Sequence, residues 1–108
     1  MTQTAVVGTG SWGTTLAVLL ARNGHDVRML ARDDEVAAAL NRDRENRRFA
    51  PGVALPNEIS ATSSPEEALQ NTDLLVMAVP SSSIRESTSR IRDAIGSHCT
   101  VVSGTKGL

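Results

Sequence analysis

The run Gly8-Thr9-Gly10-Ser11-Trp12-Gly13 carries the most pointed chemistry in this chain. Its glycines stand in the pattern G-x-G-x-x-G, and each has a separate physical use. Gly8 permits a tight turn, Gly10 lets the backbone approach an extended anion such as a pyrophosphate, and Gly13 lets a helix pack close to a sheet. A helix opening there aims unpaired N–H groups and roughly half a unit of positive charge at the phosphates. Ser11 can add its hydroxyl or its N–H to a phosphate oxygen. Trp12 suits either core packing or the wall of a ligand crevice. The second telling position lies about 20 residues further on, where an acid selects ribose hydroxyls and an arginine suits an extra 2′-phosphate. Arg32 stands there first and Asp33 follows. The pair predicts NADP as the preferred cofactor, with NAD tolerated because Asp33 can reach a ribose.

The other reactive side chains read as structural. His25 follows a helix and His98 precedes a strand, and both suit local hydrogen bonding. Cys99 adjoins the apolar pair Val101 and Val102 and reads as a small buried hydrophobe. Asp43 and Glu45 lie among arginines as solvated ion pairs. No His, Cys or carboxylate cluster has metal-ligand spacing, so no metal is expected.

The elements around these residues give the motif its meaning. Ala5-Val6-Val7 reads as a buried strand running into Gly8. Trp12, Leu16, Leu19 and Leu20 recur at helical spacing, and Asn23-Gly24 ends that helix. Val27, Met29 and Leu30 make a second strand. Asp33 or Asp34 can cap a helix reaching about Asn41. From Arg42 to Pro56 periodicity fails amid arginines and prolines, which predicts a loop or broken helix. Ile59 to Thr62 suits a short strand. Ser64-Pro65-Glu66-Glu67 signals a helix start, with Ser64 and Glu67 as a capping box. Leu74 to Val79 must be a central strand, stopped by Pro80. Ser81, Ser82 and Ser83 offer caps for a helix on which Ile84, Thr88, Ile91 and Ile95 keep register. Thr100 to Ser103 is the last strand. Alternating strands and helices imply an α/β domain, a Rossmann-type doubly wound parallel sheet of five strands with right-handed crossovers.

Composition narrows the partners. The chain has 108 residues, 40% hydrophobic, 21% charged, with net charge −1 and 2% aromatic residues. That fits one soluble domain whose core is Val, Leu, Ile and Ala. It lacks the basic footprint and aromatic platforms of a nucleic-acid binder. Lacking a run of about 20 apolar residues, a signal-peptide pattern or a second cysteine, it is expected in the cytoplasm.

Longer stretches of the sequence resemble bacterial NAD(P)-dependent glycerol-3-phosphate dehydrogenase. The similarity lies in Gly8-Thr9-Gly10-Ser11-Trp12-Gly13-Thr14 and in Leu20-Ala21-Arg22-Asn23-Gly24-His25-Asp26-Val27. It continues in Asn46-Arg47-Arg48-Phe49-Ala50-Pro51-Gly52 with Leu55-Pro56, in Val79-Pro80-Ser81, and in Thr105-Lys106-Gly107-Leu108. The resemblance implies interconversion of dihydroxyacetone phosphate and sn-glycerol 3-phosphate by hydride transfer with NAD(P), a supply of backbone for phospholipids. It places Ser11, Trp12 and Arg32 on cofactor positions with Asp33 beside them, Phe49 flanking the cofactor, and Lys106 against both cofactor and substrate. It also implies that the catalytic lysine and the substrate-phosphate contacts belong to a later helical domain. On that reading residues 1–108 are an amino-terminal piece that binds cofactor without turnover, from a protein that can form a homodimer. The apolar edge at the last strand predicts association or marginal stability. Two alternatives stay open on the residues alone: the cofactor domain of a sister dehydrogenase, and a non-catalytic dinucleotide-sensing module.

Overall fold

A computed structural model describes residues 2–104, so Lys106 lies outside the described residues. Strands β1 (Gln3–Val7), β2 (Asp26–Leu30), β5 (Ile59–Thr62), β6 (Leu74–Met77) and β7 (Thr100–Ser103) form one parallel sheet. Its order is β5-β2-β1-β6-β7, with Thr4 opposite Val27 on one side and Leu74 on the other. From β1 the chain winds outward to β2 and β5, then returns across β1 to β6 and β7. The two directions part at β1 and β6. An open α/β sheet binds its ligand beyond the carboxyl ends of the strands at such a point.

Alternation along the strands builds two cores. Val6, Val27, Met29 and Val76 face helices α1 (Ser11–Arg22) and α2 (Asp34–Asp43), with Ala17, Val18, Ala21 and Leu40 packed on them. Ala5, Val7, Leu75 and Met77 face the opposite side, against Ala68 and Leu69 of α3 (Pro65–Leu69) and Ile91 of α4 (Ile84–Ile91). A strand buried on both faces must be apolar at consecutive positions, which explains the unbroken runs at 5–7 and 74–79.

The helix ends follow local chemistry with three departures from expectation. Asp33 accepts from the Val36 N–H at 2.9 Å and caps α2, and Gly24 leaves α1 with φ +90°. Ser64 caps α3 through the Glu67 N–H, but the capping box does not close. The Glu67 carboxylate accepts instead from the Thr62 hydroxyl at 2.8 Å, and that hydroxyl accepts from the Ser64 N–H at 3.1 Å. Ser81, Ser82 and Ser83 form a 3₁₀ turn and none of them caps α4 through its side chain. The helix itself ends at Ile91, short of Ile95, and passes into a second 3₁₀ turn. Thr88 returns its hydroxyl to the Ile84 carbonyl at 2.7 Å, a local bond that competes with regular helix.

The stretch predicted as loop or broken helix is instead a small antiparallel hairpin. Strands β3 (Glu45–Asn46) and β4 (Ala50–Ala54) pair with a bulge between Glu45 and Asn46. Apolar alternation could not reveal it, because β4 is largely exposed and is held by polar bonds. Glu45 accepts from the Gly52 N–H at 2.9 Å, and the Leu55 N–H donates to the Arg44 carbonyl at 2.8 Å. Leu55 is buried and roots the hairpin in the first core. Arg44 adopts φ +54° at the end of α2 and donates to the carbonyls of Pro56 and Ile59.

The two sheet edges differ. On β5, Asn41 mimics a neighbouring strand: its amide donates to the Ala61 carbonyl at 2.8 Å and accepts from the Ala61 N–H at 2.9 Å. On β7, Val101 and Val102 remain 51% and 45% exposed, the apolar edge that the sequence predicts. His25 is a local bonding residue, sharing a 2.9 Å hydrogen bond with the buried Thr4 hydroxyl. Cys99 is half-buried beside the second core, and burial together with Asp73 raises its thiol pKa.

Candidate dinucleotide-binding site

The glycine turn joins the end of β1 to the start of α1, directly over the point where the winding reverses. A Cβ tests what each glycine is for. At Gly8, with φ +123°, it would stand 2.5 Å from the Ala78 carbonyl oxygen. At Gly13 it would stand 2.3 Å from the Gly8 carbonyl oxygen. These two positions admit only glycine because backbone lies against backbone. Gly10 differs: φ is −79°, and a Cβ would meet nothing within 4 Å. Neither conformation nor protein packing demands glycine there, and the space it leaves open faces the crevice. Gly10 is also the N-cap of α1, with no side-chain cap and no acidic residue in the first turn. That is the cradle a pyrophosphate needs.

Two cavities of about 510 and 530 Å³ meet over this turn. Thr9, Gly10, Arg32, Pro80 and Ser83 line both. The first runs along the carboxyl ends of β1, β2 and β6, past Ser11 and Trp12, to Glu86 and Arg90 on α4. The second lies between α2 and the hairpin, with Arg47, Arg48 and Phe49 in its wall.

The structure gathers most of the predicted residues here. Arg32 is in the crevice, and its ion pair with Asp33, at 3.7 Å between exposed side chains, restrains it weakly. Asp33 lines neither cavity; its carboxylate is occupied as the cap of α2. The Trp12 indole N–H donates to the Gly104 carbonyl, linking the start of α1 to the end of β7. A Cβ at Gly104 would approach Leu16 to 3.0 Å, so that residue suits its place beneath α1. Ser11 uses its hydroxyl differently from expectation, donating to the Phe49 carbonyl at 2.8 Å. Phe49 is 43% exposed, with the Arg48 guanidinium 4.9 Å above its ring.

Sequence reasoning passed over two residues. Arg90 reaches the crevice from α4 and holds the Ser63 carbonyl at 2.6 Å. Asn46 is buried beneath the hairpin and bonded to the glycine turn. A helix-face arginine carries no distinguishing spacing, and Asn46 is marked only as part of the resembling stretch 46–52, so placement in space reveals what each one does.

Fold and site together define a dinucleotide-binding domain of the Rossmann type. Residues 3–108 match the family described as NAD-dependent glycerol-3-phosphate dehydrogenase N-terminus, and the chain belongs to that family. It is 45% identical over 104 residues to glycerol-3-phosphate dehydrogenase [NAD(P)+] of Alcanivorax borkumensis, covering 96% of this chain and 30% of that protein. Against the protein of the same name from Corynebacterium kroppenstedtii it is 44% identical, covering 100% of this chain and 32% of the relative. The crystal structure of glycerol-3-phosphate dehydrogenase from Coxiella burnetii superposes with TM-score 0.90 at 30% identity, over 97% of this chain and 32% of that one. The chain thus spans about a third of the length of the relatives it matches. Among the described residues no helix is long and apolar enough to cross a membrane.

Proposed function

We propose that this chain holds NADP or NAD for the reduction of dihydroxyacetone phosphate to sn-glycerol 3-phosphate in the cytoplasm. The observation that carries the reading is the contrast at the glycines: Gly8 and Gly13 are filled by protein, whereas Gly10 opens onto the crevice. The pyrophosphate belongs there, against the first N–H groups of α1. The bound dinucleotide supplies or accepts a hydride at its nicotinamide ring. The protein's part is to hold and orient. The amino end of α1 offsets phosphate charge, and Arg32 waits at the end of β2 for the adenosine half. Phe49 and Trp12 wall the crevice. Lys106 follows β7 in sequence and is proposed to meet both cofactor and substrate with its compact positive charge.

Preference for NADP rests on the charges at the β2 end. Arg32 and Arg90 supply two guanidinium groups to the crevice beside the carboxylate of Glu86, and Asp33, whose Oδ1 caps α2, pairs with Arg32 only weakly at 3.7 Å between exposed side chains. Both the relatives named above carry NAD(P)+ in their names, and the same dual use with a bias to NADP is proposed for this chain. The catalytic base and the substrate-phosphate contacts are assigned to a helical domain beyond residues 1–108, in a whole protein that forms a homodimer.

Two titrations test the proposal. Calorimetry of the chain should show NADPH binding more tightly than NADH; absence of binding by either would overturn the cofactor reading. The whole protein carrying this domain should oxidise NADPH only when dihydroxyacetone phosphate is present. Intact cofactor binding with no such oxidation would move the substrate to that of a sister dehydrogenase.

A further inference from the structure

The hairpin β3–β4 touches the glycine turn through one buried side chain. Asn46 is 7% exposed, and its amide is fully used. The Nδ2 group donates to the Thr9 carbonyl at 2.7 Å and to the Thr14 hydroxyl at 2.8 Å. The Oδ1 atom accepts from the Phe49 N–H at 3.3 Å. Three segments converge on this amide: the cofactor turn, the first turn of α1 and the tip of the hairpin. Thr14 is itself fully buried, so its bond to Asn46 lies in the protein interior, out of competition with water, and the other two bonds are part-buried. Ser11 completes it at the surface by donating to the Phe49 carbonyl at 2.8 Å. The peptide groups of Phe49 are thereby held on both sides, N–H by Asn46 and C=O by Ser11.

We infer that Asn46 is a positioning residue for cofactor binding: it fixes the hairpin as a wall of the crevice against the pyrophosphate end of the site. The inference rests on the dinucleotide reading above and extends it. Residues that look like cofactor contacts, Ser11 and Phe49, are then partly a device for holding the wall in place. The Ser11 hydroxyl serves the hairpin, which leaves its N–H for the phosphates. The wall is bonded to the glycine turn at the start of α1, and its outer part shares the second cavity with Arg32. A ligand confined to the Arg32 end meets only the outer part of that wall and should sense the lock less than a full dinucleotide, which also lies on the glycine turn that Asn46 holds.

Asn46→Asp separates these cases. The substitution keeps the shape and the acceptor for the Phe49 N–H, but it replaces two donated bonds with a carboxylate facing the Thr9 carbonyl. Binding of NADPH and of adenosine 2′-monophosphate is measured calorimetrically on the wild-type chain and the variant between pH 5.5 and 8. The expected result is at least tenfold weaker NADPH binding at pH 8, with a loss for adenosine 2′-monophosphate at least threefold smaller than the loss for NADPH. The NADPH defect should shrink as the pH falls, because protonating the introduced carboxylate recovers one donor. Equal weakening of both ligands would show a general structural role and overturn the inference. Unchanged NADPH binding would overturn it too, by showing that the hairpin does not shape the site. Failure of the wild type to bind NADPH would overturn the underlying cofactor reading instead. Should Asn46→Asp not fold, Thr14→Val removes one acceptor and leaves the Thr9 and Phe49 bonds, and the same selective loss is expected at smaller amplitude.

Discussion

Gly10→Ala is the sharpest single test of the site, because it should uncouple binding from stability. Its stability cost is worked from two opposing effects. Alanine has fewer unfolded conformations than glycine, and φ −79° suits it, which stabilises by about 0.4–1 kcal/mol. Gly10 is also an N-cap, where alanine is worse than glycine by something on the order of 0.5–1 kcal/mol. No steric term enters, since a Cβ meets no protein atom within 4 Å. The net change should therefore lie within about 0.5 kcal/mol of zero. Gly13→Ala is the control. Its Cβ would lie 2.3 Å from a backbone oxygen that cannot rotate away, so α1 must shift. Overpacking of this kind costs about 1–3 kcal/mol or more. Urea unfolding should place Gly10→Ala at the wild-type midpoint and Gly13→Ala well below it. Calorimetry with NADPH should show at least a tenfold loss for Gly10→Ala, about 1.4 kcal/mol, as the methyl group takes the ground of the pyrophosphate. Wild-type affinity in a stable Gly10→Ala would refute the reasoning, as would a stability loss matching that of Gly13→Ala.

Arg32→Ala should reduce NADPH affinity about tenfold while leaving NADH within twofold, since only NADPH carries the 2′-phosphate that a charge-assisted bond would recognise. An unchanged ratio of the two dissociation constants would remove Arg32 from the specificity argument. Asn41→Ala strips the cover from the β5 edge and two bonds to Ala61; a loss of about 1–2 kcal/mol in urea unfolding is expected. Cys99 has its thiol pKa raised, first by burial and then by the charge of Asp73. A group whose pKa rises on folding stabilises the protein below its unfolded pKa and loses that contribution as pH climbs through the folded value. Cys99 should accordingly react more slowly with a disulfide reagent at pH 8 in the folded chain than in urea, and equal rates would contradict the assignment.

Much of this protein is legible in its sequence because the physics involved is local. A strand covered on both faces must be apolar at successive positions, and 5–7 and 74–79 announce that directly. Asp33 and Ser64 cap the helices they precede because the bonded N–H groups lie three residues away. The glycine spacing specifies a turn, and the turn brings its own anion site. Tertiary structure alone decided the rest, because the deciding partners are distant in the chain. Arg90 on α4 meets the Ser63 carbonyl 27 residues away only once the sheet and its helices are assembled. The arginine-rich stretch becomes a hairpin because Leu55 finds the core and Asn46 finds Thr9 and Thr14, contacts that leave no period to read. Residue types establish which groups can do chemistry, whereas packing decides which of them remain available to a ligand.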